Sequence, residues 1–594
     1  MSSIYDKASL VLIPSGTKTS KVYSQKPVSG DGDFTFSRST MATRVNSSGN
    51  IEKETQNLLL QSNTFSNASW LKANVTTTSG QSGYDGTSNA WRLDKAAASG
   101  NLQQNITQSG VSTLSVYAKA GTLNWARFRI NTTGTTASAY YDLTNGILGG
   151  VSGDITAEIE SVGSGWYRLS LTINATTAQV RIYPADGDFD LSGTSGNIII
   201  QDAQLEQGLV ARDVITTTTT AVEGGITDNV PRLDYSGGAT CPSLLLEPQR
   251  TNQVEYSEFY EDYNFSASSI STNATTSPEG LQNASELIEN SANTSHYFSI
   301  TNISFTSGTE VVYSIYLKEN TRRYARLRFN NSGNNTRAWL DLRNGNVTFI
   351  DSGGSPSCTS TDVGNGWYRY EFKSTPSATG TGSVQVFLQS VESVSGSLQT
   401  SYQGDGTSGI YVWGAQVETA SYATSYIPTF GSAVTRNNDS TNVQSLNTNS
   451  VTTANSAYTI FFDLSSEPVL NVTDGNSEFI TIYSGQNLST ATISPRKYYN
   501  DADGRIRFYS NVDAFTMQYI TSTNKKWAMS VNNNVVKFYT DGALQYTYTG
   551  TGNHNGIGSL RLTSGGSNRT QTEFSSVLLF NSVLTDQEAI DLTT

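Results

Sequence analysis

Val162–Thr172 reads VGSGWYRLSLT, and Val363–Lys373 reads VGNGWYRYEFK. Two nearly identical phrases this far apart prompt a search for duplication before any single residue is judged. The neighbours repeat in order. LSVYAK (Leu114–Lys119) answers YSIYLK (Tyr313–Lys318), WARFRI (Trp125–Ile130) answers YARLRF (Tyr324–Phe329), and AYYDLTNG (Ala139–Gly146) answers AWLDLRNG (Ala338–Gly345), each pair 199 residues apart. The offset grows to 201 at the WYR phrase and to 212 between DAQLE (Asp202–Glu206) and GAQVE (Gly414–Glu418). One domain copied twice, with loops that vary in length, produces that drift.

The period of the repeated phrases sets the fold class. In WYRLSLTI, Tyr167, Leu169, Leu171 and Ile173 share one face, and Trp166, Arg168, Ser170 and Thr172 share the other. This is strand alternation. The second copy keeps it, with Tyr368, Tyr370 and Phe372 inward, and WARFRI places Ala126, Phe128 and Ile130 inward. Short alternating segments between clusters of Gly, Asn, Ser and Thr predict an all-β chain of tandem antiparallel β-sandwiches of jelly-roll type. Only 15% of the 594 residues are charged, and 51 glycines and 31 tyrosines favour strands and polar turns over helices.

Composition also excludes classes. The net charge of −13, from 37 basic and 50 acidic residues, lacks the basic stripe of a nucleic-acid binder. Two cysteines, Cys241 and Cys358, stand at unmatched places in the copies and predict free thiols. The start, MSSIYDKASLVLIPSG, has no signal-peptide core, and no apolar run approaches membrane-spanning length, so neither export nor membrane insertion is expected.

The last part of the chain reads differently. Tyr458–Leu464, Lys526–Val531 and Asn534–Thr540 are strand-like, Asp541-Gly542 is a tight hairpin turn, and Thr585 with Glu588 forms a capping box before Ala589, Ile590 and Leu592. The expected division is 1–55 as a lead-in, 56–215 as the first copy, 216–249 as a linker, 250–430 as the second copy and 431–594 as a third sandwich. Residues 1–33 lack a strand set of their own, so an extended N-terminal segment is expected.

These motifs carry a resemblance. Phe580–Glu588 is similar to the end of concanavalin A-like (laminin G-like) domains. NLLLQS (Asn57–Ser62), VYAKAG (Val116–Gly121), DLTNG (Asp142–Gly146), GSGWYR (Gly163–Arg168) and Trp413–Thr429 together resemble the carbohydrate-binding-module-like jelly rolls of bacteriophage virion proteins. FSRSTMATRVNSSGNIE (Phe36–Glu52) resembles the opening of phage tail-fibre and head-fibre proteins. The resemblance implies a structural virion protein, not an enzyme. It would be made in the host cytoplasm and carried on the particle surface. Its implied partners are other virion proteins, copies of itself in a trimer, and host-surface glycans bound during attachment. The alternatives are a purely structural or capsid-decorating protein and a glycan-degrading tailspike.

Candidate ligand residues come from the outward positions shared by the copies. They are Tyr117, Lys119, Trp125, Arg127, Arg129, Tyr140 and Asp142 in the first, and Tyr316, Lys318, Tyr324, Arg326, Arg328, Trp339, Asp341 and Trp413 in the second. Flat rings beside fixed donors suit a sugar, whose C–H face stacks on an aromatic ring while its hydroxyls take hydrogen bonds. Trp339 is expected to outweigh Tyr140 as the larger platform. The bland alternative is that these side chains face a neighbouring domain or stabilise the sheets by cross-strand pairing. Asp186, Asp188 and Asp190, alternating in ADGDFDLSG, are candidate Ca²⁺ ligands, and no other cofactor is expected.

Overall fold

A computed structural model describes residues 2–594 apart from 135, 332–334, 352–355, 396, 443, 446–456, 466–468, 471–476, 479, 484–490, 498–505, 511–524, 552–556, 558 and 563–569. The chain is all-β, built of antiparallel sheets in sandwich-like pairs. Each copy packs two six-stranded sheets face to face. In the first, one sheet holds the WYR strand, Trp166–Asn174, between Thr156–Gly163 and Val111–Ala120, and Val111–Ala120 pairs in turn with Asn197–Gln207. The opposite sheet centres on Trp125–Thr132, between Thr136–Asp142 and Thr177–Ala185. The second copy repeats both sheets in the same order, with Trp367–Ser374 and Tyr324–Asn330 as the matching strands.

The inward set lies where alternation places it. Leu169, Leu171, Ile173, Ala126, Phe128 and Ile130 enter the first core, and Tyr370 and Phe372 enter the second. Each of the larger side chains removed from water stabilises by about 1.5–3 kcal/mol before entropy is counted.

The repeated polar motifs form a hydrogen-bonded clamp present in both copies. The Asn57 amide donates to the carbonyls of Ala203 and Ile215, and Asn252 donates to those of Ala415 and Ile427. Gln204 and Gln416 accept from the backbone N–H of Ile215 and Ile427 at 2.8 and 2.7 Å. Glu206 and Glu418 accept from the N–H of Arg212 and Thr424. The WYR arginines complete it: Arg168 donates to the Arg212 carbonyl, and Arg369 to the Thr424 carbonyl. The phrase recurs because it ties the segment leaving each sandwich back onto its sheet, satisfying backbone groups that burial would otherwise strand.

The domain division needs correction. Residues 1–55 do not lie extended as a lead-in: Leu10–Leu12 pairs with Thr570–Phe580, and Phe34–Ser37 pairs with Ser440–Asn442. The expected linker supplies Arg232–Asp234 and Ser243–Leu246 to that same large sheet, again along Thr570–Phe580. The third sandwich is thus assembled from three separated stretches, and both copies are insertions into it. Leu10, Phe34, Leu244, Ile460 and Leu579 share its core. The hairpin at Asp541-Gly542 forms with both residues at positive φ, and the helix Asp586–Thr593 opens on the Thr585/Glu588 capping box.

Where the three stretches meet, Arg38, Arg232 and Arg436 surround Asp439 and Glu247, all fully or almost fully buried. Burial would raise the Glu247 carboxyl, but Arg436 and Arg232 outweigh it and hold the group well below the usual carboxylate range. Removing one partner would leave a buried charge uncompensated, so this cluster fixes the junction. A second buried set joins the copies, with Lys53 paired to Glu258 and Glu279, and Arg212 to Glu279.

Candidate functional site

The fifteen sugar-site candidates do not form one face. Tyr117, Lys119, Tyr316, Lys318 and Trp413 stand on the outer side of the WYR sheets, whereas Trp125, Arg127, Arg129, Tyr140, Tyr324, Arg326, Arg328 and Trp339 stand on the outer side of the opposite sheets. The sandwich thickness separates the two groups. Asp142 and Asp341 cap the turns that follow their strands: Asp142 accepts from Thr144 and Asn145, and Asp341 is held by Arg323.

The WYR-sheet group is scaffold. Trp413 is fully buried, packed at 5.2 Å from Tyr316 and 4.6 Å from Tyr426, while Trp367 donates its indole N–H to the Thr276 carbonyl. In the first copy, where Gln201 stands in place of Trp413, Tyr84 fills the gap by stacking on Tyr117 at 3.7 Å and donating to Asp202. Asp202 and Gly414 both have positive φ, so the bulge survives the exchange of residue. The tyrosine in QSGYDGTS has no counterpart in the repeat, which is why sequence comparison missed it. These rings and the Arg168 and Arg369 guanidiniums make internal contacts.

The opposite sheets differ between the copies. In the second, Trp339 is only 1% exposed. Residues 390–408 connect its last two long strands, and Ser393 and Gln399 within that segment are tied to either side of the indole: Ser393 accepts from Thr348, and the Gln399 carbonyl from Arg326. Arg326 lies 3.8 Å from the Phe387 ring centre, and burial, with Arg337 and Arg328 nearby, pulls its guanidinium down to about 9. Arg337 pairs with Asp351 at 2.5 Å, and Arg328 donates to Asn335 and Asn330. Trp339 is therefore no open platform, and neither is Tyr140, which is 4% exposed, so neither position offers the ring surface expected of it.

In the first copy the connection is shorter, residues 186–196, and the face is open only in part, with Tyr140 and Tyr183 buried and Trp125 and Phe189 accessible. Trp125 is half-buried and Phe189 is 63% exposed, lying against Tyr140 at 5.1 Å. Phe189 has φ 54°, an uncommon conformation for a bulky side chain, of the kind that persists where surrounding structure enforces it. The floor is Gly149-Gly150: a Cβ at Gly149 would meet the Trp125 ring at 2.5 Å, and one at Gly150 the Phe189 ring at 1.7 Å. Arg127 sits between Tyr140 and Tyr183, 5.3 and 5.1 Å from their ring centres, and burial lowers its pKa. The sheet carries the candidates Trp125, Arg127, Arg129 and Tyr140, and beside them Arg181, Tyr183 and Phe189, which the comparison of the copies did not single out because RIYPA and DFDLS have no close match in the second copy.

Asp186, Asp188 and Asp190 point to separate partners. Asp186 pairs with Lys95, Asp188 accepts from the Gly150 N–H at 2.7 Å, and Asp190 accepts from Ser192. Among the described residues no three acidic, histidine or cysteine side chains gather as a metal site, and Cys241 and Cys358 are free thiols. A cleft of about 730 Å³ between the copies is lined by Glu158, Glu160, Gln282 and the committed Arg168, without an aromatic ring. Among the described residues no helix is long and apolar enough to cross a membrane. No family model and no curated protein matches the chain.

Proposed function

We infer that the chain is a structural appendage protein of a bacteriophage particle, a fibre or related surface element, that contributes sugar contact to host adsorption. The observation that carries this is the open face of the first sandwich. Trp125, half-buried, and Phe189, 63% exposed, present ring surface on the sheet that carries Arg127, Arg129 and Arg181, with Tyr140 and Tyr183 buried as packing for Arg127; accessible rings on a face with fixed donors are the combination by which a protein binds a sugar's C–H face and hydroxyls. The resemblance of the repeated motifs to phage virion modules supplies the particle, and the buried arginine junction suits a part that must display its modules in a set orientation. Self-association as a trimer and contact with other virion proteins belong to the same proposal.

A second reading, a purely structural part without sugar binding, is favoured by the WYR sheets, whose aromatic groups are all spent internally. Two measurements separate them. Antibodies against the chain should decorate purified particles in electron micrographs, and soluble chain should slow adsorption to host cells. Labelled particles with unaffected adsorption would support the structural part alone, and unlabelled particles would overturn both. Light scattering at micromolar concentration should return three times the 64.0 kDa chain mass.

A further inference from the structure

We propose that the open face of the first sandwich binds an acidic glycan, one whose sugars carry carboxylate or sulfate groups, and that the second sandwich does not. This rests on the sugar-contact reading above and specifies its ligand. Arg129 and Arg181 are direct cross-strand partners in the ladder between Trp125–Thr132 and Thr177–Ala185. Like charges placed directly opposite destabilise a sheet. No carboxylate relieves them: among the described residues, Arg127, Arg129 and Arg181 form no ion pair, and the Nε atoms of Arg127 and Arg129 are buried without an acceptor. Arg181 has only neutral partners, donating to Gln179 at 2.5 Å and to the Tyr183 hydroxyl at 3.4 Å.

The chain has acid to spare, 50 acidic residues against 37 basic, so three unneutralised guanidiniums on one face are not a consequence of composition. The second copy shows the neutralised version of the same design. There the partner opposite Arg328 is Gln385 on one side, and on the other Arg337, which Asp351 neutralises. An anionic group seated between Arg129 and Arg181 would take charge-assisted hydrogen bonds from both and remove their mutual repulsion. Trp125, four residues along the same strand and so roughly 13 Å away, and Phe189 then offer surface for a further sugar of the same glycan chain. A nucleic acid is disfavoured because the basic patch is three residues wide on a chain of net charge −13.

The test uses the full chain on an array holding neutral glycans, uronate- and sialate-bearing glycans, their carboxyl-reduced forms and sulfated glycans, with a single-stranded oligonucleotide alongside. Binding should be confined to the anionic sugars, weaken as salt rises from 50 to 500 mM, and fall at least tenfold in Arg129→Gln/Arg181→Gln. Arg343→Gln, which opens an exposed ion pair in the second copy, should change nothing. Loss on carboxyl reduction assigns the anion as carboxylate, and retention on the sulfated arm assigns it as sulfate. The double variant should melt no lower than the parent, which excludes misfolding as the cause of lost binding. Binding to neutral sugars that the double variant retains would overturn the acidic assignment and leave the sugar-contact reading standing. Silence on every glycan would overturn both, and equal binding of the oligonucleotide would overturn the choice of sugar.

Discussion

The two copies share a scaffold and differ in one face. Asn57, Gln204, Glu206 and Arg168 make the same bonds as Asn252, Gln416, Glu418 and Arg369. On the opposite sheets, by contrast, Trp339 of the second copy is buried and an acid neutralises Arg337, while in the first copy Trp125 and Phe189 stay accessible and Arg129 and Arg181 face each other without an ion pair among the described residues. Duplication thus preserved what folds the module and released the surface that can meet a ligand. Conserved spacing between copies is a signature of the clamp, and the ligand face proposed above lies where the copies part.

The largest test of this contrast is Trp339→Ala, which should cost about 3–5 kcal/mol because it empties a buried indole site. Trp125→Ala, at a half-buried position on the same sheet of the first copy, should cost about 1 kcal/mol or less. Thermal or urea unfolding of both variants checks it, and equal costs would mean that the two faces are equally covered.

Next in size is the shared clamp. Arg168→Ala and Arg369→Ala should each cost about 1–3 kcal/mol, since each removes the charged donor from a carbonyl that is otherwise reached only by the Gln204 or Gln416 amide at 3.4 Å. The two values should agree within about 1 kcal/mol by the same melts, and a large disparity would show that one copy has dispensed with its clamp.

A smaller, pH-dependent difference lies in the lead-ins. Glu54 stands three residues before Asn57, where the second copy has Gln249 before Asn252. Burial, then Glu223 and Asp228, push the Glu54 carboxyl up to about 7 from an ordinary 4.5. A raised folded pKa means that its contribution to stability is fully present below pH 4.5 and is lost as pH rises through 7. Glu54→Gln should therefore stabilise the chain at pH 8, by about 1 kcal/mol at most after solvent screening, and flatten the melting profile between pH 5 and 8. An unchanged profile would place the titration elsewhere.

The smallest effect is a gain. Arg129→Gln should raise stability by about 0.2–1 kcal/mol by removing the like-charge pair with Arg181, more at low salt than at high. A loss of stability instead would show that Arg129 has a structural partner.

The alternation in WYRLSLTI and WARFRI was enough to read the sandwich class and the inward side chains, because a period of two assigns core positions without knowledge of distant partners. The same pattern could not tell an outward side chain in water from one under another segment. Trp166, Trp367 and Trp413 read as surface and are buried, since what covers them comes from far along the chain. The aspartates in ADGDFDLSG had ligand-like spacing, yet the backbone of that loop sends them to three partners.

The sequence by itself determined the duplication, the antiparallel sandwiches, the terminal capping box and the absence of a basic stripe, all of which are local or periodic properties. Only the tertiary structure decided that the third sandwich is built from three separated stretches, that Tyr84 replaces a missing tryptophan, and which copy's face stays open. Each of those depends on pairing across many tens or hundreds of residues, from Leu10 with Leu579 to Arg38 with Asp439. Such pairings are selected by collective burial of apolar surface and neutralisation of buried charge, for which a strand of alternating residues carries no address.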